Sequence, residues 1–256
     1  MADSGRYNQE RMAHVDRRAT QTQDQYAADD LETMREAVRY GAHVFDLLRP
    51  DLGSRILEVG CGIGTFTGRL CDTAERVVGI EPNPNCAASL APVVQAYPQF
   101  TLWERHLEAC APEDLARERF DTVVCVNVLE HIEDDRAAMQ SFRDVLVPGG
   151  TVLIFVPAIQ AAYGPLDAEL GHFRRYSKSS LAGVFTAAGL EVTRLRYTNP
   201  IGLAGWMFNS HVTRTRRHSP SQVRLFERLV APWALPLERW LTPPVGQSLI
   251  AVGVRR

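Results

Sequence analysis

The chain has 256 residues, 45% of them hydrophobic and 23% charged, with a net charge of -2. That suits one α/β domain with decorations. The polar first 25 residues contain no apolar core of a secretory signal, and no apolar run approaches the ~20 residues of a membrane span. Five cysteines, at 61, 71, 86, 110 and 125, form no C-x-x-C pair. Their odd number argues against a disulfide frame or zinc knuckle and for a reducing cytoplasm. The charge is unevenly spread: 15 basic and 27 acidic residues precede position 172, while 13 basic and 3 acidic residues follow. A positive field at one end of the molecule is the consequence.

In chain order, residues 1–30 read as a polar segment, either a lid or an exchanged arm, which leaves monomer and homodimer both open. Leu31 to Leu48 carries apolar residues at helical spacing and closes at Pro50. Ile56 to Val59 reads as a first strand, followed by a glycine-rich turn and a helix through Leu70. Val77–Ile80 and Phe100–Trp103 read as strands flanking a helix from Asn85 to Ala96. Thr122–Val128 is a fourth strand. A helix from Ala137 to Leu146 ends at the Pro148-Gly149-Gly150 turn, and Thr151–Val156 is the fifth strand. Apolar strands alternating with amphipathic helices imply a parallel sheet covered on both faces. A loop then leads to a helix from Ser179 to Ala188, a sixth strand from Leu190 to Tyr197 and a final strand from Ser248 to Val254. The expected organisation is an N-terminal helical segment (1–50), a core (51–198 and 247–256) and an inserted helical cap (199–246).

The strongest motif is Glu58-Val59-Gly60-Cys61-Gly62-Ile63-Gly64. Glycines at a strand end let backbone approach a ligand, and the following helix aims free N–H groups at it. The dinucleotide fingerprint G-x-G-x-x-G fits poorly, because its sixth position falls on Thr65 or Thr67. Glu81 ends the second strand ahead of Pro82, where a carboxylate can accept both ribose hydroxyls. Asn127-Val128-Leu129-Glu130-His131 follows the fourth strand, and Val147-Pro148-Gly149-Gly150 leads into the fifth.

Four such motifs in this order resemble the class I S-adenosylmethionine-dependent methyltransferases. The resemblance implies a Rossmann-like, doubly wound α/β fold: a seven-stranded sheet of order 3-2-1-4-5-7-6 with strand 7 antiparallel. It implies S-adenosylmethionine as cofactor, bound by Glu58, Gly60, Cys61, Gly62, Gly64, Glu81, Pro82, His106, Leu107 and Asn127. His106 stands where the family commonly has an aspartate that binds adenine. A segment reading Gly171-His172-Phe173-Arg174-Arg175-Tyr176 resembles the G-H-x-R-R-Y signature of a bacterial subgroup, in a loop over the acceptor site. Glu130, Arg174, Arg175 and Tyr176 become candidate substrate contacts. The alternative is that His172 and Tyr176 brace the next helix and the arginines are solvated.

Methyl transfer needs the nucleophile, methyl carbon and sulfur aligned, and positioning supplies about 7–11 kcal/mol. A hydroxyl or protonated-amine acceptor must also lose a proton, for which His131 and His172 are the candidate catalytic bases. Glu130 either orients a histidine or faces solvent. A metal-dependent mechanism would need carboxylates at the ends of strands 4 and 5. Asn127 and Pro157 do not provide them, so no metal is expected.

The expected activity is methyl transfer to an oxygen or nitrogen of a small, anionic or sugar-linked acceptor, within small-molecule metabolism or natural-product biosynthesis. The alternatives are a non-methylating reaction on the same cofactor, such as cyclisation or decarboxylation, and a non-catalytic cofactor-binding module. Residues 199–246 interleave arginines with Trp206, Phe208, Phe226, Trp233 and Trp240. The acidic remainder of the chain argues against nucleic acid. The insertion is expected to pack its apolar face on the sheet edge, with Trp233 and Trp240 as core anchors.

Overall fold

The computed structural model describes residues 28–217, 219–238 and 240–256. The segment expected as lid or arm falls almost wholly outside these residues. Seven strands form one sheet: β1 (Arg55–Val59), β2 (Arg76–Ile80), β3 (Phe100–Trp103), β4 (Phe120–Val126), β5 (Leu146–Pro157), β6 (Leu190–Thr198) and β7 (Ser248–Arg255). Their order is β3-β2-β1-β4-β5-β7-β6, with β7 antiparallel to both neighbours. This is the expected topology.

The helices are α1 (28–35), α2 (Val38–Leu48), α3 (Thr67–Cys71), α4 (Pro84–Ser89), α5 (Ala91–Ala96), α6 (Pro112–Glu118), α7 (Asp135–Asp144), α8 (Pro165–Glu169), α9 (Lys178–Ala187), α10 (Pro200–Phe208), α11 (Pro220–Leu225) and α12 (Ala231–Glu238). They cover both sheet faces because the central strands are apolar on both. Leu57, Val123, Cys125 and Ile154 belong to one core cluster, while Ile56, Val124, Leu153 and Ile250 belong to the other.

Two expected helices are each divided. The run 31–48 breaks at Ala37, whose ψ of 58° is not helical. Leu31 then packs with Ile63 beside the glycine-rich turn, while Val44, Phe45 and Leu48 enter the core. The run 85–96 breaks at Leu90, because Pro92 lacks an N–H and its ring opposes the carbonyl of Ala88. Helix α6 was not foreseen, although Pro112, Glu113 and Asp114 form a suitable first turn.

The insertion between β6 and β7 is helical; it contacts α2 and the turn Gln160–Ala162, and it reaches the edge strand β6 through Glu238, which is bonded to Arg196 and Thr198. Trp233 and Trp240 are exposed by 57% and 87%, so they are not core anchors. Leu203, Ala231, Ala234 and Leu235 are buried instead. Against α2 the aromatic contact is made by Phe226, edge to face with Tyr40, and the two indoles are left outside.

Two buried carboxylates fasten this insertion: Glu227 accepts from the N–H groups of Arg39 and Tyr40 at 2.8 and 2.9 Å, and Glu238 holds the end of β6. Glu238 accepts from the Thr198 hydroxyl at 2.7 Å and from Asn199 N–H at 2.9 Å, and lies 3.4 Å from His43 Nε2. Burial opposes its charge, but the hydrogen bonds from His43, Thr198 and Asn199 outweigh that and lower its pKa. A depressed folded value stabilises the protein above the unfolded Glu pKa of about 4.3, and that contribution disappears as pH falls through the lower folded value. Glu238→Gln is expected to destabilise the protein at neutral pH by about 1–3 kcal/mol. The gap in Tm between variant and wild type should close below about pH 4. Thermal melts across that range check both parts.

Candidate active site

Two groups of residues gather at the C-terminal ends of the parallel strands, where sheet order reverses between β1 and β4. The first is built on the glycine-rich turn after β1. Gly60 and Cys61 both donate N–H groups to Ile80 O, at 2.8 and 3.1 Å, which folds the turn against β2. Gly60 has φ +71°, and a Cβ there would lie 2.4 Å from Val128 Cγ2. Only glycine meets both constraints, so the turn brings β1 and the segment after β4 into contact.

Glu81 closes the turn from the end of β2. Its Oε2 accepts from Gly62 N–H at 2.7 Å and its Oε1 from Asn83 N–H at 2.9 Å. Glu58 is buried beneath, accepting the Thr67 hydroxyl at 2.7 Å. Burial, helped by the charge of Glu81, raises its pKa to about 7 despite that bond. Cys61 is buried, and desolvation drives its thiol pKa far up, which makes it a packing group rather than a nucleophile. Pro82 and His106 are exposed, Leu107 is buried, and Asn127 takes a left-handed φ of 53° with its N–H bonded to Phe155 O at 2.8 Å.

The second group follows β4. A tight turn, Leu129–His131, presents Glu130 inward and leaves one side of His131 exposed. The loop carrying His172 lies against it, tied by Phe173 N–H to Glu130 O at 2.8 Å. The His131 and His172 rings meet edge to face, with centroids 4.7 Å apart. His172 Nε2 is 4.0 Å from Glu130 Oε1. On its other side, His172 Nδ1 is bonded to Asp167 at 2.8 Å.

Asp167 was not singled out from the sequence, yet the loop is built on it. At the third position of α8 it reaches back to Gly164 N–H at 2.9 Å. It also accepts from Arg175 Nε at 2.8 Å. Burial opposes its ionisation, but hydrogen bonds from His172 and Gly164 and the charge of Arg175 hold its pKa below the usual value. Glu130 has equal burial and no comparable donors, and burial raises its pKa to about 7. Desolvation, then the neighbouring His172, lowers the His131 pKa to about 4.

Of the two arginines and the tyrosine expected as acceptor contacts, Arg175 and Tyr176 are buried and Arg174 is half-buried; all three line one cavity with Asp135 and Gln160, and their polar atoms also have partners within the protein. The Arg175 guanidinium is bonded to Asp167 and Ala158 O and lies 4.3 Å from the Trp206 ring centroid. Arg174 clamps Ile132 O, Glu133 O and Asp135. Tyr176 is 1% exposed and donates its hydroxyl to Asp135 at 2.8 Å. Sequence spacing could not reveal these partners, which lie up to 42 positions away. The one local signal was an acid five residues before His172, just inside a Gly164-Pro165 helix start.

A family described as a methyltransferase domain matches residues 22–195. The chain belongs to that family. It is 34% identical over 166 residues to a ubiquinone biosynthesis O-methyltransferase from Paracidovorax citrulli, covering 59% of this chain and 69% of that protein. With the mitochondrial ubiquinone biosynthesis O-methyltransferase of Homo sapiens it shares 33% identity over 115 residues, 41% of this chain and 29% of the human protein. Among solved structures, the N-methyltransferase NodS of Bradyrhizobium japonicum in complex with S-adenosyl-L-homocysteine aligns at TM-score 0.53 and 16% identity, over 85% of each chain. An S-adenosylmethionine-dependent methyltransferase from Mesorhizobium loti aligns at TM-score 0.57 and 17% identity, over 85% of this chain and all of that one. These two likenesses are of fold. Residues 22–195 thus form a class I S-adenosylmethionine-dependent methyltransferase domain. Among the described residues no helix is long and apolar enough to cross a membrane.

The methyltransferase's dependence on the Arg175–Asp167 pair is measurable. Arg175→Met removes the cation and leaves a buried carboxylate short of a partner, at a cost of about 3–5 kcal/mol. Chemical denaturation should read that loss. Arg174→Met, a more exposed position, should lose much less.

Proposed function

We propose that this enzyme transfers the methyl group of S-adenosylmethionine to an oxygen atom of a small-molecule acceptor bound over the end of β4. The observation that carries this reading is the group formed by Glu130, His131, His172 and Asp167 beside the segment that touches the glycine-rich turn. The names of the curated relatives favour oxygen over nitrogen.

On this reading the glycine-rich turn receives the methionine moiety of the cofactor, and Glu81 accepts its ribose hydroxyls. A carboxylate offers about four acceptor positions, so the bonds from Gly62 and Asn83 can coexist with that role while fixing its plane. His106 and Leu107 flank the adenine. Glu58 supports the turn from below.

The acceptor hydroxyl must lose its proton as it attacks the methyl carbon and the sulfonium leaves with the electron pair. His131, held neutral, and His172, oriented by Asp167, are the groups placed to assist. Arg174, Arg175 and Tyr176 act as positioning residues: their polar atoms hold the His172 loop against the turn after β4.

Calorimetric titration with S-adenosylmethionine should give one site, and Glu81→Ala should weaken it about 10–100-fold. Unchanged affinity would remove Glu81 from the ribose role. With methyl-labelled cofactor and a panel of phenolic, enolic and amine acceptors, label should appear on oxygen. His131→Ala and His172→Ala should each lower kcat, by up to about 10²–10⁴-fold, with cofactor affinity retained. Labelling of nitrogen alone would overturn the oxygen assignment.

A further inference from the structure

The insertion between β6 and β7 lies outside residues 22–195, the span matched by the methyltransferase family, yet it grips the loop that carries His172. Three of its side chains hold the turn Gln160–Ala162, where that loop leaves β5. Trp206 donates its indole N–H to Ala162 O at 3.1 Å, and the Ser210 hydroxyl donates to the same oxygen at 3.2 Å. A ring nitrogen of His211 lies 2.8 Å from Ala161 O.

Trp206 makes a second contact of a different kind. The guanidinium carbon of Arg175 lies 4.3 Å from the centre of an indole ring, that of Trp206. The Arg175 side chain is 1% exposed. Its Nε–H donates to Asp167 Oδ1 at 2.8 Å and its Nη1 to Ala158 O at 3.1 Å. The N–H groups of a guanidinium lie in its plane, so these bonds fix its edge and leave its faces to packing. An aromatic face suits a desolvated cation there, because the ring quadrupole puts negative charge over it.

The oxygen that Arg175 holds is also the one that holds His172. Asp167 Oδ1 lies 2.8 Å from His172 Nδ1. Asp167 stays ionised, so it can only accept, and His172 Nδ1 carries the hydrogen. A shift of the guanidinium therefore moves the acceptor from which the imidazole hangs. His172 Nε2 in turn faces Glu130 at 4.0 Å, and its ring meets His131 edge to face. The contacts run without a gap from indole ring to cation, from cation to carboxylate and from carboxylate to imidazole.

We propose that Trp206 is a positioning residue for methyl transfer: it fixes Arg175, and through Arg175 and Asp167 it sets the orientation of His172. Bracing the turn is not enough to account for the indole, because Ser210 donates to the same carbonyl and Trp206 is only half-buried. Displacing a reacting group by about 1 Å can cost about 100-fold in rate, so the ring matters to turnover even where the fold survives its loss. The rate part of the proposal rests on the methyl-transfer reading and on His172 assisting proton removal. The geometric part does not.

Substitution separates the two contacts of the indole. Trp206→Phe keeps an aromatic face and loses the N–H. Trp206→Leu loses both. Ser210→Ala loosens the same carbonyl without touching Arg175. The first readout needs no acceptor: the Nδ1–H signal of His172 in the NMR spectrum of nitrogen-labelled protein, assigned by its loss in His172→Ala. It is expected unchanged in Ser210→Ala, close to wild type in Trp206→Phe, and shifted or lost in Trp206→Leu. The second is kcat for label transfer from S-adenosylmethionine to an accepted member of the acceptor panel. Trp206→Leu should lower kcat about 10–100-fold with the KM for S-adenosylmethionine unchanged, and Trp206→Phe should restore most of the rate. In the His172→Ala background Trp206→Leu should lower it little further, because the group it positions is gone. Should Trp206→Leu not fold, Trp206→Met carries the same expectations. An unchanged His172 signal in Trp206→Leu overturns the proposal. So does a Trp206→Phe variant that matches Trp206→Leu, an equal loss of rate in Ser210→Ala, or full additivity with His172→Ala, any of which makes Trp206 a brace for the fold. If the signal is lost while kcat holds, the catalytic use is overturned and the link from indole to imidazole stands. If S-adenosylmethionine delivers label to no acceptor, the methyl-transfer reading fails, and the His172 signal still decides the link.

Discussion

The half of the active site that follows β4 hangs on the buried carboxylate of Asp167. Three donors from three places in the chain converge on it: Gly164 N–H, His172 Nδ1 and Arg175 Nε. Between β5 and α9 the regular structure is limited to the turn Gln160–Ala162 and the short helix α8. The loop's shape follows from the requirement that a fully buried charge be surrounded by donors. The order of events in the loop then makes sense. Pro165 starts a short helix, the helix places Asp167, and the carboxylate gathers in the histidine and arginine five and eight residues later. Gly164 also sits where a side chain would collide with Ser210 of the insertion.

The insertion joins the same network from the other side. Trp206 in α10 lies against the Arg175 guanidinium and donates its indole N–H to Ala162 O at 3.1 Å. Arg175 is therefore held between an acid from one loop and an aromatic ring from another element. The far end of the insertion is fixed by Glu238 to the end of β6 and to α2. A segment that looks in sequence like an added surface module is pinned at both ends by buried polar contacts. Its exposed arginines, including Arg214, Arg217 and Arg228, and its exposed indoles lie outside those two fastenings. The positive field inferred from the charge distribution belongs to that outer surface, not to the arginines nearest the site.

What the sequence made legible follows from which interactions are local. The strands could be placed to within a few residues, because apolar residues with no polar partner to satisfy have nowhere to go but a covered sheet. The glycine-rich turn was legible because positive φ and close approach leave a chemical mark, glycine at Gly60, Gly62 and Gly64. Helix breaks at Ala37 and Leu90 were missed, since the periodic pattern runs on through them. Pro92 marked the second in retrospect. The partners of Arg174, Arg175 and Tyr176 were illegible for a different reason. A buried arginine and a solvated one read identically until the fold brings Asp135 or Asp167 within 3 Å. The tryptophans erred in the opposite sense: hydrophobicity suggested burial, but Trp233 and Trp240 are exposed while Phe226 is the aromatic that meets α2, edge to face with Tyr40.

Glu130 and Asp167 together explain why one site can hold opposite chemical characters. Both carboxylates are buried to within 1% of complete exclusion, and both lie beside His172. Burial acts on them equally and disfavours charge in both. The difference lies in donors. Asp167 has three, and its pKa falls; Glu130 has none within hydrogen-bond distance, and its pKa rises to about 7. His172 is shared between them, with Nδ1 committed to the charged partner and Nε2 facing the other. Since the imidazole cannot donate strongly to both, satisfying Asp167 leaves the Glu130 oxygens without a hydrogen bond. Pairs of acids whose environments push them apart are how a site divides labour between holding and reacting. Here the division runs through a single histidine ring: the Asp167 side is complete within the fold, and the Glu130 side faces the exposed His131.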